Sequence, residues 1–373
     1  MRFPEFSGEW EEHTLSEYLE FKNGLNPDAK RIGSGLPFIS VMDILSEGVI
    51  NYDNIRGKVN ATEKEIECFG VKDGDLLFQR SSETLEDVGR ANVYMDNRTA
   101  IYGGFVIRGR KIGNYVPLFF KYLLATPLAR KRTCRMGAGA QHFNIGQEGL
   151  SKISLYFPSI EEQRKIAEFL SLIDERIATQ NKIIEDLKKL KSAISERLFN
   201  AIKGDVVVLE DIGDVVKGKQ INGEFLSESG KYYVMNGGIE PSGFYNDYNV
   251  EANTISISEG GNSCGYVQFN ACPFWSGGHC YTIQNTTDNV KTEYLYQFLK
   301  SKESEIMKLR IGSGLPNIQK KDLAKFKITI PNISEQKVIS AFLSSFERKA
   351  DVEMNFVNLL LEEKQYLLRQ MFI

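Results

Sequence analysis

Polar and cationic side chains recur on glycine-flanked loops in both halves of the chain. Arginine, lysine, asparagine and glutamine bind the edges of nucleic-acid bases through paired hydrogen bonds, and serine, lysine and backbone amides suit phosphates. Taken singly, each such residue is better explained as a solvated loop residue. Nucleic-acid binding is favoured only because both halves place these loops at corresponding points. The candidate DNA-binding residues are Lys22, Asn23, Arg31, Gln79, Arg80, Ser81, Arg90, Arg135, Gln141, Asn144, Lys217, Lys219, Gln220, Asn236, Asn262, Ser263, Trp275, Arg310, Ser313 and Asn317.

Other residue patterns that could support chemistry are incomplete. The segment Gly213–Gln220 nearly fits a phosphate-binding loop, but Gln220 stands where a serine or threonine would bind magnesium. The cysteines and the histidine between Cys264 and Cys280 lack the short Cys-x-x-Cys pair of a zinc site, so we interpret them as structural. The three histidines stand far apart and give no acid–base pair. The sequence predicts no catalytic site, no metal site and no cofactor site in this chain.

Composition restricts the class of protein. The chain has 373 residues, which suggests two to four domains, and its formal charge of −3 argues against a generally basic protein that coats nucleic acid. One cationic face remains compatible with that charge. Five cysteines are too few and odd in number for a disulfide framework. With no apolar run long enough for a membrane span, we expect a cytoplasmic protein without membrane contact.

A long helix must position whatever the loops bind. From Pro158 to Phe199 the sequence contains no further Pro and no Gly, and Ser159 with two following glutamates is a typical helix start. A 4-3-4-3 spacing of apolar residues predicts a coiled-coil seam with two polar interruptions, Gln180 and Lys191. The seam positions are Ile166, Leu170, Ile173, Ile177, Gln180, Ile184, Leu187, Lys191, Ile194 and Leu198.

The same seam recurs 173 residues later. Its polar interruptions fall at the same places, on Glu353 and Lys364, and Pro331 with Gln336 repeats Pro158 with Gln163. This pattern indicates an internal duplication in which each half ends in a long helix. We expect Lys191 to lie nearer Glu353 than Lys364 and to fix the register of an antiparallel helix pair. The recurring seam positions are Ile339, Leu343, Phe346, Ala350, Glu353, Val357, Leu360, Lys364, Leu367 and Met371.

The globular segments that precede the two helices repeat one order of elements. We match Val234-Met235-Asn236 with Val41-Met42-Asp43, and the segment Ser276–Cys280 with the segment Ile101–Phe105. The predicted fold class is therefore α+β, with two similar α/β domains separated by two long antiparallel coiled-coil helices in a pseudo-twofold circular repeat. The predicted domains are residues 1–157, 158–203 (helix), 204–330 and 331–373 (helix).

These features together resemble the specificity subunit of a type I restriction–modification enzyme. The most specific parts are Phe3-Pro4-Glu5-Phe6 with Trp10-Glu11 and Leu15, and the repeated Pro-x-x-x-Glu-Gln before each long helix. The resemblance covers essentially the whole chain. It implies that each globular domain is a target-recognition domain and that the two helices form a spacer.

The resemblance also implies function and partners. The chain would recognise a bipartite asymmetric site in double-stranded DNA, without catalysis of its own, and its helices would set the gap and dock two methyltransferase subunits. Two restriction (motor–nuclease) subunits would complete the complex. S-adenosylmethionine, ATP and magnesium would bind to those partners, which carry the adenine-N6 methyltransferase and ATP-dependent endonuclease activities. The alternative is a free-standing interaction scaffold whose two modules bind protein or glycan.

Overall fold

The computed structural model describes residues 1–139, 142–312, 314 and 316–372. By its internal contacts the chain divides into two compact units. The first unit comprises Met1–Gln180 and the residues from Phe356 onward, and the second comprises Asn181–Asn355. Each unit contains one globular domain and a segment of each long helix. The predicted mixed fold with two similar domains and two long helices is confirmed, whereas the exact domain boundaries stay a prediction.

The first domain alternates short strands with short helices. Its helices are α1 (Leu15–Tyr18), α2 (Val41–Ile44), α3 (Glu63–Phe69), α4 (Pro117–Ala125), α5 (Pro127–Cys134) and α6 (Gln147–Ser151), with a 3-10 turn at Ala29–Arg31. Its strands are β1 (Glu11–Thr14), β2 (Leu19–Asn23), β3 (Ile32–Ile39), β4 (Lys58–Val59), β5 (Gly70–Val71), β6 (Leu76–Gln79), β7 (Ser81–Ser82), β8 (Ala91–Val93), β9 (Ala100–Tyr102), β10 (Val106–Lys111), β11 (Phe143–Asn144) and β12 (Ser154–Phe157). The first long helix, α7 (Ile160–Ala201), follows.

Two four-stranded sheets form the body of the first domain. One is antiparallel, in the order β2-β10-β6-β8, and the other has the order β4-β3-β9-β5, in which β3 and β9 are parallel. Strands β1 and β12, and strands β7 and β11, form short antiparallel pairs. Strand β6 is buried on both faces: Leu76, Leu77 and Phe78 have no exposed surface. This is expected for a strand whose sequence is a continuous apolar run.

The second domain repeats this plan with fewer elements. Its helices are α8 (Thr292–Ser301), α9 (Glu303–Met307) and α10 (Lys320–Ala324), with 3-10 turns at Leu209–Asp211, Gly223–Phe225 and Gly261–Ser263. Its strands are β13 (Asp205–Val208), β14 (Asp214–Lys217), β15 (Tyr232–Met235), β16 (Phe244–Tyr245), β17 (Thr254–Ser258), β18 (Val267–Asn270), β19 (Trp275–Ser276), β20 (Cys280–Gln284) and β21 (Lys327–Ile330). The second long helix is α11 (Ile333–Gln370).

The sheets of the second domain show which segments correspond. The antiparallel sheet β14-β20-β17-β18 matches β2-β10-β6-β8, and the parallel pair of β15 with β19 matches β3 with β9. In these parallel pairs Met235 lies opposite Ser276, and Ile39 lies opposite Tyr102. The predicted match of Val234-Met235-Asn236 with Val41-Met42-Asp43 is therefore wrong by three residues. The match of Ser276–Cys280 with Ile101–Phe105 is wrong by one, because the sheet register, not local sequence similarity, fixes equivalence.

Both long helices contribute to a domain core in each unit. In the first unit, Ile166 and Leu170 near the start of α7 share a buried cluster with Leu367 near the end of α11. In the second unit, Phe199 near the end of α7 shares a buried cluster with Leu343 near the start of α11. The start of one helix thus meets the end of the other, which is an antiparallel arrangement in each case. The apolar seam residues supply this contact.

The repeated glutamine before each long helix has a defined structural role. In the first unit, the Gln163 side chain is buried, and its Oε1 accepts a hydrogen bond from the backbone N–H of Val116 at 3.0 Å. Its Nε2 donates to the carbonyl oxygen of Pro158, also at 3.0 Å. Val116 is the residue that precedes α4, so Gln163 joins the first turn of α7 to the start of a domain helix.

Gln336 makes the same connection in the second unit. Its Oε1 accepts from the N–H of Lys291, the residue preceding α8, at 2.8 Å, and its Nε2 donates to the carbonyl of Pro331 at 2.9 Å. A further bond reaches the carbonyl of Asn289 at 2.8 Å. The start of a helix leaves backbone N–H groups without an intrahelical partner. The glutamine satisfies one of them, which explains the repetition of this residue type.

Lys364, a polar seam residue of the first unit, is linked to a side chain of the domain through a carboxylate. Lys364 forms an ion pair with Asp174, and Asp174 also accepts a hydrogen bond from the Tyr122 hydroxyl at 2.8 Å. Burial raises the pKa of Tyr122, and the neighbouring Asp174 raises it further, so the phenol remains a donor. One lysine, one carboxylate and one tyrosine thereby connect both long helices to α4.

The second unit contains the equivalent group around Lys191. Lys191 pairs with Glu347 at 2.7 Å, and the Tyr296 hydroxyl lies 3.4 Å from the same carboxylate. Glu353 pairs instead with Lys349 on its own helix, at 2.5 Å. Glu347 lies six residues before Glu353 and 17 residues before Lys364 on α11, so Lys191 lies nearer Glu353 than Lys364, as expected. The seam spacing does not fix the axial offset of the two helices, so the ion-pair partner itself depends on contacts with the domain.

The described residues were also compared with the requirements of a membrane-spanning helix and of a metal site. Within the ranges given above, none of the helices combines the length and the apolarity that crossing a bilayer would require. Those same residues contain no group of three or more His, Cys, Asp or Glu side chains arranged to hold a metal ion. The five cysteines are all free thiols.

Candidate nucleic-acid interface

In the first domain, the end of β2 packs against the turn between β9 and β10. The N–H of Gly24 donates to the carbonyl of Val106 at 3.1 Å, and the N–H of Leu25 donates to the carbonyl of Tyr102 at 2.9 Å. A Cβ atom on Gly24 would lie 2.0 Å from the carbonyl oxygen of Gly103, so only glycine allows the two backbones to approach this closely. We call this arrangement the loop junction.

The second domain builds the same loop junction from different residues. The N–H of Gly218 donates to the carbonyl of Cys280 at 2.9 Å, and the N–H of Lys219 donates to the carbonyl of Ser276 at 2.8 Å. A Cβ atom on Gly218 would lie 2.2 Å from the carbonyl oxygen of Gly277. The backbone is thus conserved between the two domains while most side chains on it differ.

The turn of each loop junction presents one planar side chain to solvent. Phe105 follows Gly103 and Gly104 and is 68% exposed, which is unusual for a phenylalanine. His279 occupies the same place after Gly277 and Gly278 and is also exposed. The sequence analysis missed both residues. The repeated Gly-Gly pair was the signal that could have identified them.

A third segment joins each loop junction through two matched backbone bonds. The N–H of Arg80 donates to the carbonyl of Phe105 at 2.9 Å, and the carbonyl of Arg80 accepts from the N–H of Ile145 at 3.0 Å. The N–H of Glu259 donates to the carbonyl of His279 at 2.9 Å, and its carbonyl accepts from the N–H of Ile318 at 2.8 Å. Arg80 and Glu259 therefore occupy one backbone position with opposite charges. Glu259 was not among the predicted residues.

The two side chains at this position have different surroundings. Among the residues that the structure describes, the Arg80 guanidinium makes one hydrogen bond, to the carbonyl of Gly104 at 3.3 Å. A guanidinium carries five N–H donors. The Glu259 carboxylate accepts from Lys217 Nζ at 2.6 Å and from the Tyr281 hydroxyl at 3.1 Å. Burial, followed by the adjacent Glu259, raises the pKa of Tyr281, so this hydroxyl stays protonated and donates.

The Glu259 side chain is 11% exposed, and its other carboxylate oxygen is the one nearer the exposed His279. Glu259 Oε2 lies 3.6 Å from His279 Nδ1, beyond ordinary hydrogen-bond distance. That oxygen can accept from an incoming donor. Lys217 offsets the negative charge on the same surface.

Asn144 and Asn317 border the two loop junctions at equivalent places. Asn144 pairs with Ala138 in an isolated bridge, and its side-chain oxygen accepts from the hydroxyl of Ser81. Asn317 forms isolated bridges with Ile311 and with Gly260. Both asparagines are exposed. This equivalence agrees with the offset of 173 found in the sequence.

The first domain gathers only part of the predicted set. Asn23, Arg80, Ser81 and Asn144 adjoin its loop junction. Gln79 is buried beneath them and donates to the carbonyl of Ser81 at 2.9 Å.

Four further residues of that set are placed differently. Lys22 contacts Cys68 Sγ at 2.9 Å, and Arg31 binds Glu65 and the carbonyl of Asn60. Arg90 pairs with Asp87 at 2.7 Å, and Arg135 is exposed at the end of α5.

The second domain gathers its predicted set more completely. Trp275 Nε1 donates to the carbonyl of Lys219 at 2.9 Å, and Asn236 Oδ1 accepts from the N–H of His279 at 3.2 Å. Gln220 lies against Gly278.

Three more predicted residues lie on its neighbouring turns. Asn262 and Ser263 are in the 3-10 turn that Gly261 begins, and the N–H of Gly261 donates to the carbonyl of Pro316 at 3.1 Å. Arg310 is exposed beside the Ile311 bridge. Gln141 and Ser313 lie outside the described residues.

Comparison with protein families decides the class of the chain. The family described as the type I restriction modification DNA specificity domain matches residues 7–189 and 203–360. The chain belongs to this family. The predicted resemblance to type I specificity subunits is therefore confirmed.

Named relatives agree with the type I specificity family. A Mycoplasma pneumoniae protein named as a type I specificity subunit is 34% identical over 161 residues, which is 43% of this chain and 42% of that protein. The chain thus aligns with less than half of the length of this relative. The protein named as the MjaX specificity subunit of Methanocaldococcus jannaschii is 22% identical over 386 aligned positions, covering 94% of this chain and 89% of the relative.

A solved structure shows the same fold. The crystal structure of the type I restriction–modification S subunit from M. genitalium superimposes with a TM-score of 0.63. The match covers 98% of this chain and 96% of that chain at 19% sequence identity.

Proposed function

We propose that the chain gives a type I restriction–modification complex its DNA sequence specificity. Each unit recognises one half of a bipartite, asymmetric site in double-stranded DNA. One observation carries this proposal: both units build the loop junction on the same backbone hydrogen bonds, yet Arg80 and Phe105 of the first are replaced by Glu259 and His279 in the second. A common frame with different side chains suits two recognition domains that bind different base sequences.

The charges at the shared position support different base preferences. Arginine donates two hydrogen bonds to O6 and N7 of guanine, and glutamate accepts from the N4 amino group of cytosine. The guanidinium donors of Arg80 that make no hydrogen bond to a described residue suit the first contact. The second contact suits Glu259 Oε2, whose negative charge is offset by Lys217 on the same surface. We therefore propose that Arg80 binds a guanine and that Glu259 binds an amino group on a base edge.

The long helices support a role in spacing and assembly. At about 1.5 Å per residue, the 42 residues of α7 span about 63 Å and the 38 residues of α11 span about 57 Å. Major-groove faces one helical turn apart are separated by about 34 Å. We propose that the helices set the gap between half-sites and dock two methyltransferase subunits, to which two restriction subunits are added.

The catalytic groups of this complex are proposed to lie on the partner subunits. S-adenosylmethionine, ATP and magnesium would bind there, because the methylation and the ATP-dependent cleavage implied by the family take place there. This chain would contribute binding and orientation only.

The test is to sequence methylated adenines after assembly of the chain with methyltransferase subunits. The wild-type chain should direct methylation to a gapped two-part motif. Arg80→Gln should relax one base position in one half of the motif, and Glu259→Gln should relax one position in the other half. Each loss of discrimination should be about 1–3 kcal/mol, or roughly 5- to 150-fold. Lys152→Gln is the control and should leave the motif unchanged, because Lys152 is exposed and pairs with Glu148.

Two results would contradict the proposal. One is methylation without any gapped motif in the wild-type complex. The other is a change in both halves of the motif from either single substitution, since the two loop junctions belong to separate domains.

A further inference from the structure

The N-terminal arm, Met1–Phe6, covers one face of α7 in the first unit. The Arg2 guanidinium binds both carboxylate oxygens of Glu162, with Nε–Oε1 at 2.7 Å and Nη2–Oε2 at 2.6 Å. The Phe3 ring meets the Phe169 ring edge to face, with centroids 5.9 Å apart. Glu162 is only 1% exposed as a result.

A second ion pair anchors the same arm. Lys165 Nζ lies 3.0 Å from a carboxylate oxygen of Glu5 and 5.5 Å from the centre of the Phe3 ring. Glu162, Lys165 and Phe169 are spaced three and four residues apart, so they form one face of the helix. The arm thus provides a partner for an acid, a cation and an aromatic ring that follow one another along this face of α7.

Helix α11 repeats this face 173 residues later without a cover. The equivalents of Glu162, Lys165 and Phe169 are Glu335, Val338 and Phe342, which we call the α11 face. Glu335 is exposed, Val338 is 69% exposed and Phe342 is 46% exposed. Two large apolar side chains beside an exposed carboxylate are typical of an interaction surface.

Among the residues that the structure describes, the second unit has no counterpart of the arm. Ten residues precede β1, which begins at Glu11, and they include the arm. Only three residues separate the end of α7 at Ala201 from β13 at Asp205. That linker is too short to repeat the arm on the α11 face, which favours a cover from another chain.

We propose that the α11 face binds a segment of a methyltransferase subunit that carries an arginine or lysine followed closely by an aromatic residue. The cation pairs with Glu335, as Arg2 pairs with Glu162, and the aromatic ring packs on Phe342, as Phe3 packs on Phe169. Val338 replaces Lys165, so the segment needs an apolar side chain there and no acid. This proposal rests on the proposed function, because it places one of the docked partners.

A second copy of this chain fits the α11 face less well than a different protein. Its arm is already held on its own α7 by the Arg2–Glu162 and Lys165–Glu5 pairs. Releasing that arm would remove Arg2 from the Glu162 carboxylate. Loss of the partner of a buried charge costs free energy. A partner with a free arm-like segment has no such cost.

The experiment measures binding of purified methyltransferase subunit to the full chain, by calorimetry and by native mass spectrometry. Glu335→Arg and Phe342→Ser should each weaken binding at least tenfold and lower the number of bound methyltransferase copies. Met354→Ser is the matched control. It removes a similarly exposed apolar side chain from α11, about 120° around the helix from Phe342, and should leave affinity within twofold. Hydrogen exchange across α11 should be unchanged in all three variants, which shows that the fold is intact.

Three outcomes would overturn the proposal. Equal effects of all three substitutions would mean that the α11 face has no special role. Unchanged binding by Glu335→Arg and Phe342→Ser would place the docking surface elsewhere. Self-association of the wild-type chain that these two variants abolish would assign the face to a second copy. Failure of the proposed function is distinguishable, since it appears as wild-type methylation without a gapped motif.

Discussion

Replacing Gln336 with alanine should loosen the attachment of the second domain to its long helix. The side chain is fully buried and makes three hydrogen bonds, to Lys291 N–H, Asn289 C=O and Pro331 C=O, at 2.8, 2.8 and 2.9 Å. Alanine can form none of them. The N–H of Lys291 lies at the start of α8, where no intrahelical carbonyl can replace the lost acceptor.

The expected magnitude follows from those groups. A buried N–H left without an acceptor costs about 1–3 kcal/mol, and each additional lost bond contributes about 0.5–1.5 kcal/mol. We expect Gln336→Ala to destabilise α8 by about 2–6 kcal/mol, which is roughly 30- to 20,000-fold in a local opening equilibrium. Gln163→Ala removes two bonds and should destabilise α4 somewhat less.

Native-state hydrogen exchange with peptide-level readout separates the two domains. Gln336→Ala should speed exchange in α8 and leave α4 unchanged, and Gln163→Ala should do the reverse. Each variant therefore serves as the control for the other. A change below about 1 kcal/mol in α8, or an equal change in both helices, would refute the role assigned to the repeated glutamine.

Three further predictions follow from the contacts of the described residues. The Arg31 guanidinium, with help from the Thr62 N–H, lowers the pKa of Glu65 to about 2. This pair should therefore stabilise the first unit above about pH 4.5 and lose its effect as the pH falls toward 2, and Arg31→Gln should flatten that part of an acid-unfolding curve. Tyr122→Phe should lower the melting temperature more than Tyr296→Phe, because the hydroxyl–carboxylate distance is 2.8 Å in the first case and 3.4 Å in the second. DNA affinity of the assembled complex should fall steeply between 50 and 200 mM salt, as filter binding would show, and a salt-independent affinity would contradict phosphate contacts.

The duplication was visible in the sequence because the buried face of a long helix requires apolar residues at a fixed spacing. A seam of apolar residues with polar interruptions survives at an offset of 173 over the whole length of both helices, and Asn144 and Asn317 follow the same offset. The globular domains were matched less well. Short strands carry too few residues to fix a register, so Val41-Met42-Asp43 was paired with the wrong segment.

Candidate site residues were predicted by type but not by surroundings. Arginine looks the same in the sequence whether it faces a ligand, as Arg80 can, or is bound to a carboxylate, as Arg31 is to Glu65. Glu259 was overlooked because an acid is not an expected residue on a DNA-binding surface. Only the matched backbone hydrogen bonds show that it occupies the position of Arg80.

The sequence by itself determined the class of this protein: two related domains, two long helices and a family resemblance carried by short motifs. Those properties depend on local spacing, which is read along one chain. The tertiary structure decided which side chains share a surface, which partner Lys191 takes and which helix face remains uncovered. These depend on distances between residues far apart in sequence, such as Arg2 with Glu162 or Lys191 with Glu347, and packing of whole elements sets such distances.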